Sequence, residues 1–173
     1  MKNTVIFDLD GTLAFIDKRR IKAGSPSGKS PSPSKMDWDV FFDPDNIKLD
    51  DPNPPVIKLA QMFKADGFKV VIFSGRNDRS FHTTKQWLAD HDVPFDILVM
   101  RPDKFKDDSW PIADGNPATP DMRFMPDDIL KKKMLDTFVD INDVFVVVDD
   151  RQKVVDMWRG LGLNTWQVAP GNF

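Results

Sequence analysis

The sequence predicts an α/β domain built on a parallel sheet with helices on both faces. Three observations carry that expectation. Short β-branched and aromatic runs alternate with stretches of helical periodicity along the chain. The runs are nearly continuous in apolar character, as in strands covered on both sides. The 173 residues, 40% hydrophobic and 29% charged, suit one ordinary core and exclude a disordered chain.

Residues 4–7, 69–73, 95–100 and 144–148 read as strands, with a weaker fifth run at 165–169. The first intervening helix is expected at 55–65, where Val56, Leu59, Ala60 and Phe63 share one face and Gly67 provides a stop. Similar patterns cover 83–90 around Trp87 and Leu88, 128–138 around Leu130, Met134, Leu135 and Phe138, and 153–161 around Val154, Val155, Met157 and Trp158. Strand–helix alternation implies right-handed crossovers, with ligands bound beyond the carboxyl ends of the strands.

One domain spanning 1–173 is expected, interrupted by insertions at about 14–54 and 102–126, after the first and third strands. Both emerge where a ligand would enter, so both are candidate lids. The first opens with a basic, Ser/Pro/Gly-rich part whose small apolar content predicts mobility. It continues with an acidic, aromatic part holding Trp38, Phe41 and Phe42 among Asp37, Asp39, Asp43, Asp45, Asp50 and Asp51. The second carries Lys104, Lys106, Trp110 and Arg123. There is no internal repeat.

A net charge of −3 provides no global field for a polyanion, which must be held locally. The absence of cysteine excludes disulfides, thiolate catalysis and Cys-type zinc sites, and two histidines, His82 and His91, make a His-rich metal centre improbable. Chemistry must therefore run on carboxylates. No apolar stretch reaches membrane-spanning length, and the run at 4–7 leads directly into Asp8, unlike a secretory signal. A cytoplasmic location without membrane contact is the expectation.

Asp8-Leu9-Asp10-Gly11-Thr12 follows the first strand and offers two carboxylates beside a turn-permitting glycine. Such a pair suits Mg²⁺, which takes one or two carboxylates and leaves positions for water and phosphate; alone, the pentapeptide equally fits an ordinary Asp/Gly turn. An EF-hand is excluded because Thr12 and Arg19 stand where its fifth and twelfth ligands belong. Ser74-Gly75-Arg76 ends the second strand and Asp149-Asp150-Arg151 the fourth. Each is weak singly, but together three strands bring carboxylates, a hydroxyl and backbone donors to one end of a sheet. Among Lys131, Lys132 and Lys133, the helical wheel places Lys131 in the apolar stripe, with Asp127 one turn earlier. A buried ammonium needs an anion; a snorkelling side chain is the alternative. The phosphate-loop-like stretch 23–30 lacks a preceding strand and is broken by Pro31 and Pro33, so it is set aside. Trp38 and Trp110 could stack on a base.

In order, these motifs resemble the four motifs of the haloacid-dehalogenase (HAD) superfamily of phosphohydrolases. Residues 147–173 and the run Asp127-Asp128-Ile129-Leu130-Lys131 are similar to the 3′-phosphatase domains of polynucleotide kinase-phosphatases of T-even phages. The resemblance implies a Rossmann-like, HAD-type sheet and a Mg²⁺-dependent phosphomonoesterase. In it Asp8 is the nucleophile, Asp10 the general acid and base, and Lys131 the motif lysine. Asp8, Asp10, Asp149 and Asp150 would hold the metal, Asp10 through its carbonyl. Thr12, Ser74, Gly75, Arg76, Arg101 and Asp127 would serve phosphate or substrate. The implied partner is a phosphorylated nucleic-acid end or nucleotide, in the host cytoplasm if the gene is phage-encoded; no protein partner is implied. The chain departs from its models in lacking a kinase domain and in a longer insertion at 14–54. A phosphatase of free nucleoside monophosphates or another small phosphate ester is the alternative, and a non-catalytic phosphate-binding module the third.

Overall fold

A computed structural model describes residues 1–24, 35–102 and 120–171. Five strands form one parallel sheet: β1 (Thr4–Phe7), β4 (Lys69–Asn77), β5 (Ile97–Arg101), β6 (Val144–Asp149) and β7 (Thr165–Gln167), in the order β5-β4-β1-β6-β7. β1 is central, in register with β4 on one side (Phe7 opposite Ile72) and β6 on the other (Phe7 opposite Val148). The ends of these three strands therefore lie side by side.

Alternation along the strands explains why their sequences are apolar throughout. Val5, Phe7, Val70, Ile72, Val146 and Val148 face a core shared with Val56, Ile57 and Ala60 of α4 (Pro54–Ala65) and Trp87 and Leu88 of α5 (Phe81–Asp90). Ile6, Val71, Phe73 and Val147 face the opposite core, with Leu130, Met134 and Leu135 of α6 (Asp127–Phe138) and Val154 and Trp158 of α7 (Gln152–Gly160). Both faces are thus covered, which a parallel sheet requires because its connections run as helices over it.

The predicted elements recur, β1 with the expected bounds and the others with ends shifted by at most two residues, except that β4 runs on to Asn77. Ser74, Gly75 and Arg76 lie inside that strand, at an irregularity between the pairs Phe73–Val99 and Asn77–Arg101. Pairing resumes beyond the motif, which lengthens the strand past the apolar run.

The first insertion departs further from expectation. A two-residue strand pair, β2 (Ala14–Phe15) against β3 (Asp51–Pro52), closes its stem. Between them lie α1 (Asp17–Lys22), α2 (Trp38–Phe41) and α3 (Pro44–Ile47), with Ile16, Ala23, Met36 and Phe41 forming a small core of their own. The basic part was expected to be too polar to order. Its residues 17–22 instead fold as α1, because Arg19 is buried against Asp50 and Lys22 donates to Asn46. The acidic run supplies the anion that the basic run needs, a pairing that separate composition counts of the two halves cannot reveal. Residues 25–34, which hold most of the phosphate-loop-like stretch, and 103–119, which hold Lys104, Lys106 and Trp110, lie outside the described residues. Among the described residues no helix is long and apolar enough to cross a membrane.

Candidate active site

Asp8 stands one residue past β1, where its backbone N–H donates to the Val148 carbonyl of β6. β6 ends in Asp149, followed at once by Asp150, so adjacent strands deliver these carboxylates to one point. Oxygens of Asp8, Asp149 and Asp150 lie within 4.8 Å of one another, and all three residues are buried. Lys131 reaches them from α6, donating to Asp8 Oδ1 at 2.6 Å and to Asp149 Oδ2 at 3.0 Å. Only 3% of Lys131 is exposed, so the wheel argument places it correctly and the snorkelling alternative falls.

The turn around this cluster is tight. Gly11 has φ +84°, and a Cβ there would strike the Asp150 carboxylate. Thr12 is fully buried and donates to Asp8 Oδ2 at 2.9 Å, so it orients the carboxylate instead of facing the open cavity. From behind, the C-terminal segment braces the acidic loop: Gln167 donates to the Asp150 carbonyl at 3.0 Å and the Val168 N–H to that of Asp149 at 3.1 Å.

Burial pushes the Asp8 carboxyl well above its ordinary range, reinforced by Asp149 and Asp150 and opposed by Lys131. Asp150 is pushed up to about 6 by burial and by Asp149. Burial would lower the Lys131 ammonium, but Asp149, Asp8 and Asp127 together hold it above its usual value. Three carboxylates facing one ammonium leave an excess of negative charge in a dry site. An all-oxygen, anionic donor set of this kind fits a hard divalent cation such as Mg²⁺.

Asp10 is held differently. Burial alone would raise its carboxyl, yet two guanidinium groups outweigh that and hold it at about 2. Arg19 Nη2 and Arg76 Nε both donate to Oδ1, at 2.7 and 2.6 Å, leaving Oδ2 without either arginine. Both arginines also donate to Asp50 Oδ2, at 2.9 and 2.7 Å, and all three of these partners are buried. Asp10, Arg19, Asp50 and Arg76 are thus a closed ion network spanning the insertion and the sheet. Arg76, expected to serve the substrate, lies beneath Asp10 with its guanidinium engaged by Asp10, Asp50 and Thr84. In the sequence Arg19 stands out only as a residue that excludes an EF-hand, and Asp50 only as one member of the acidic run. The available signal was the Asp10–Arg19 spacing, which puts Arg19 one helical turn past the end of β2.

Ser74 is fully buried, and its Oγ accepts from the Arg76 N–H at 3.2 Å. Gly75 does line the cavity, and a Cβ there would come within 2.7 Å of Asp127 Oδ1. Asp127 accepts from both Arg101 and Arg151, and with Lys131 these cations hold it below its usual range against burial. Arg101 also donates to the carbonyls of Gly75, Met122, Arg123 and Met125, which pins the segment 122–126 to the sheet end. It acts as a bracket as well as a cavity wall.

The cavity above this floor measures about 480 Å³, within the range of small-molecule sites. Asp8, Asp10, Lys131, Asp150 and Asp127 form its base. Trp38, Phe41 and Phe42 wall one side, and Phe124, Met125 and Pro126 another. Thr12, Ser74, Arg76 and Asp149 stand behind these surfaces.

A family model described as "Polynucleotide kinase PNKP phosphatase domain" matches residues 34–113 and 114–173. A chain of the Pnkp1/Rnl/Hen1 RNA repair complex is 30% identical with a TM-score of 0.67, the match covering 98% of this chain and 43% of that one. A chain from a further structure of the Pnkp1/Rnl/Hen1 complex gives 29% identity, a TM-score of 0.68, and coverage of 100% and 48%. The present chain thus spans less than half the length of those two. A haloacid-dehalogenase-like hydrolase from Streptococcus pneumoniae shares the fold at 14% identity, TM-score 0.57, covering 95% of this chain and 83% of that one.

Proposed function

This chain belongs to the phosphatase-domain family of polynucleotide kinase PNKP, among the haloacid-dehalogenase hydrolases, and from that premise we propose that it removes 3′-phosphate from polynucleotide ends or nucleotides, with Mg²⁺ bound and Asp8 as nucleophile. The observation that supports this reading is the convergence of Asp8, Asp150 and Lys131 on the floor of a cavity that Asp10 also lines, with Asp149 directly behind them.

Asp8 attacks phosphorus, forming an aspartyl-phosphate as the bond to the leaving 3′-oxygen breaks, which divides one difficult displacement into two. Asp10 hands its proton to that oxygen, then takes one from the water that hydrolyses the acyl phosphate. Held ionised by Arg19 and Arg76, Asp10 stands ready as the base of the second step. A dianionic ester arriving beside it raises its proton affinity for the first, since like charges disfavour ionisation. Lys131 donates to the phosphoryl oxygens, and Thr12 keeps Asp8 aimed. Asp8, Asp149, Asp150 and the Asp10 carbonyl would hold Mg²⁺, which when bound would supply positive charge to offset repulsion between the Asp8 carboxylate and the phosphate.

A side-by-side panel tests the reading: a 3′-phosphorylated oligonucleotide, its 5′-phosphorylated counterpart, and 3′- and 5′-mononucleotides, each with Mg²⁺ or chelator. The expected result is the highest kcat/KM for the 3′-phosphorylated oligonucleotide and no turnover in chelator. Preference for mononucleotides, insensitive to salt, would replace the reading with a nucleotidase, since counterion release marks polyanion binding.

A further inference from the structure

The cavity is more apolar on its walls than a phosphate requires. α2 and Phe42, the residue that follows it, bring Trp38, Phe41 and Phe42 into mutual contact: Trp38 stacks on Phe42 with centroids 5.8 Å apart at 20°, and both rings meet Phe41 edge-on at 5.5 and 5.0 Å. Phe41 is buried, whereas Trp38 is 46% exposed and borders the cavity. Nearly half of this indole therefore remains open to solvent at the mouth of the site, where its flat apolar surface can meet a ligand.

The trio is also tied to the reacting centre. The Arg19 guanidinium lies 4.3 Å from the Phe41 ring centroid, and its Nη1 donates to the Phe41 carbonyl at 3.2 Å. The same guanidinium holds Asp10. A rigid chain of contacts therefore runs from the Trp38 ring through Phe41 and Arg19 to the carboxylate expected to handle the leaving-group proton. Arg79 fixes the other end of α2, donating to Asp39 Oδ1 at 3.1 Å and to the Trp38 carbonyl at 3.4 Å. A platform held at a set distance from the phosphorus fits a ligand with a flat group at a set distance from its phosphate.

We propose that Trp38, backed by Phe42, is a stacking platform for the base of the nucleotide that carries the scissile phosphate. This rests on the nucleic-acid reading above and specifies which part of that substrate the insertion recognises. The base is read by its face, so all four bases bind comparably, as aromatic platforms accept any π-surface. Stacking of this kind is worth about 1–3 kcal/mol per base, or roughly 5- to 150-fold in kcat/KM.

The experiment is a cycle of two removals. Wild type and Trp38→Ala are assayed on a 3′-phosphorylated oligonucleotide and on the same strand with an abasic terminal nucleotide, with Trp38→Phe as the conservative variant. Stacking predicts that either removal alone lowers kcat/KM at least fivefold, chiefly through KM, and that both together cost little more than one, with Trp38→Phe recovering most of the loss. Independent, multiplying losses would overturn the proposal, as would a wild type indifferent to the missing base. Wild type that hydrolyses no oligonucleotide while turning over small phosphate esters would remove the nucleic-acid reading itself. Circular dichroism of both variants separates a folding defect from lost recognition: if Trp38→Ala is unfolded, the abasic strand on wild type still decides.

Discussion

Asp150→Asn should make the protein more stable and less active at once. The native carboxyl is 4% exposed and pushed up to about 6 from an ordinary 3.8, by burial and by neighbouring Asp149. A rise of about two units corresponds to ~3 kcal/mol of strain on the folded state when the group is ionised. Because the folded form keeps its proton to about 6 while the unfolded form loses it near 3.8, the cost is absent below 3.8, grows between the two values and is complete above 6. An amide carries no such cost. The Asp150 backbone N–H, bonded to Asp149 Oδ1 at 2.9 Å, and its carbonyl, bonded to Gln167, stay in place. Against this, the amide gives up the attraction of the carboxylate to Lys131 and Arg20 and alters its side-chain contacts with Asp8 and, at 3.5 Å, with Thr12. The net expectation is ~2–3 kcal/mol of added stability, a rise in Tm of roughly 5–10 °C for a chain of this size. The assay is thermal unfolding in chelator at about pH 7.5 and again near pH 3.5, where the two proteins should converge. In millimolar Mg²⁺ the wild type should recover much of the difference through ligand linkage, and the variant little. A variant that melts below wild type at neutral pH, or keeps its advantage at low pH, would refute the picture of a strained acidic cluster.

Two further outcomes follow from the same geometry. Lys131→Ala removes the ammonium bonded to both Asp8 and Asp149; phosphate-release kinetics should show kcat falling by roughly 10²–10³, the usual cost of one preorganised donor, and an unchanged kcat would exclude Lys131 from the reaction. Arg19→Ala leaves Asp50 buried with half its positive partners and should cost about 3–5 kcal/mol in denaturant unfolding, whereas a solvated arginine would cost almost nothing.

The sheet was legible because its strands are buried on both faces, so residues such as Val146, Val147 and Val148 form an uninterrupted apolar run. The acidic floor was legible for a topological reason. Strands adjacent to the central one must end beside it, so carboxylates at the ends of β1 and β6 meet whatever the loops do. Lys131 could be picked out because helical periodicity separates the buried member of three consecutive lysines from its neighbours. The insertion was not legible in the same way. Arg19 and Asp50 are 31 residues apart, on short elements with no strong periodicity, and their pairing depends on how β2 and β3 close the stem. Composition made the basic half look solvated because it was weighed without the acidic half. Arg76 shows the same limit: its place in the motif was plain, but the direction of its guanidinium was set by Asp50, which nothing local to the motif announces.

The central claim is that Asp8 takes the phosphoryl group. Turnover with excess 3′-phosphorylated oligonucleotide and Mg²⁺ can be stopped in acid and the digested protein weighed by mass spectrometry. The account predicts one added PO₃ unit on the peptide holding Asp8, absent without Mg²⁺ and absent in Asp8→Asn, which should also release no phosphate. An Asp8→Asn protein that hydrolyses substrate at the wild-type rate, or a phosphoryl group carried on another residue, would contradict it.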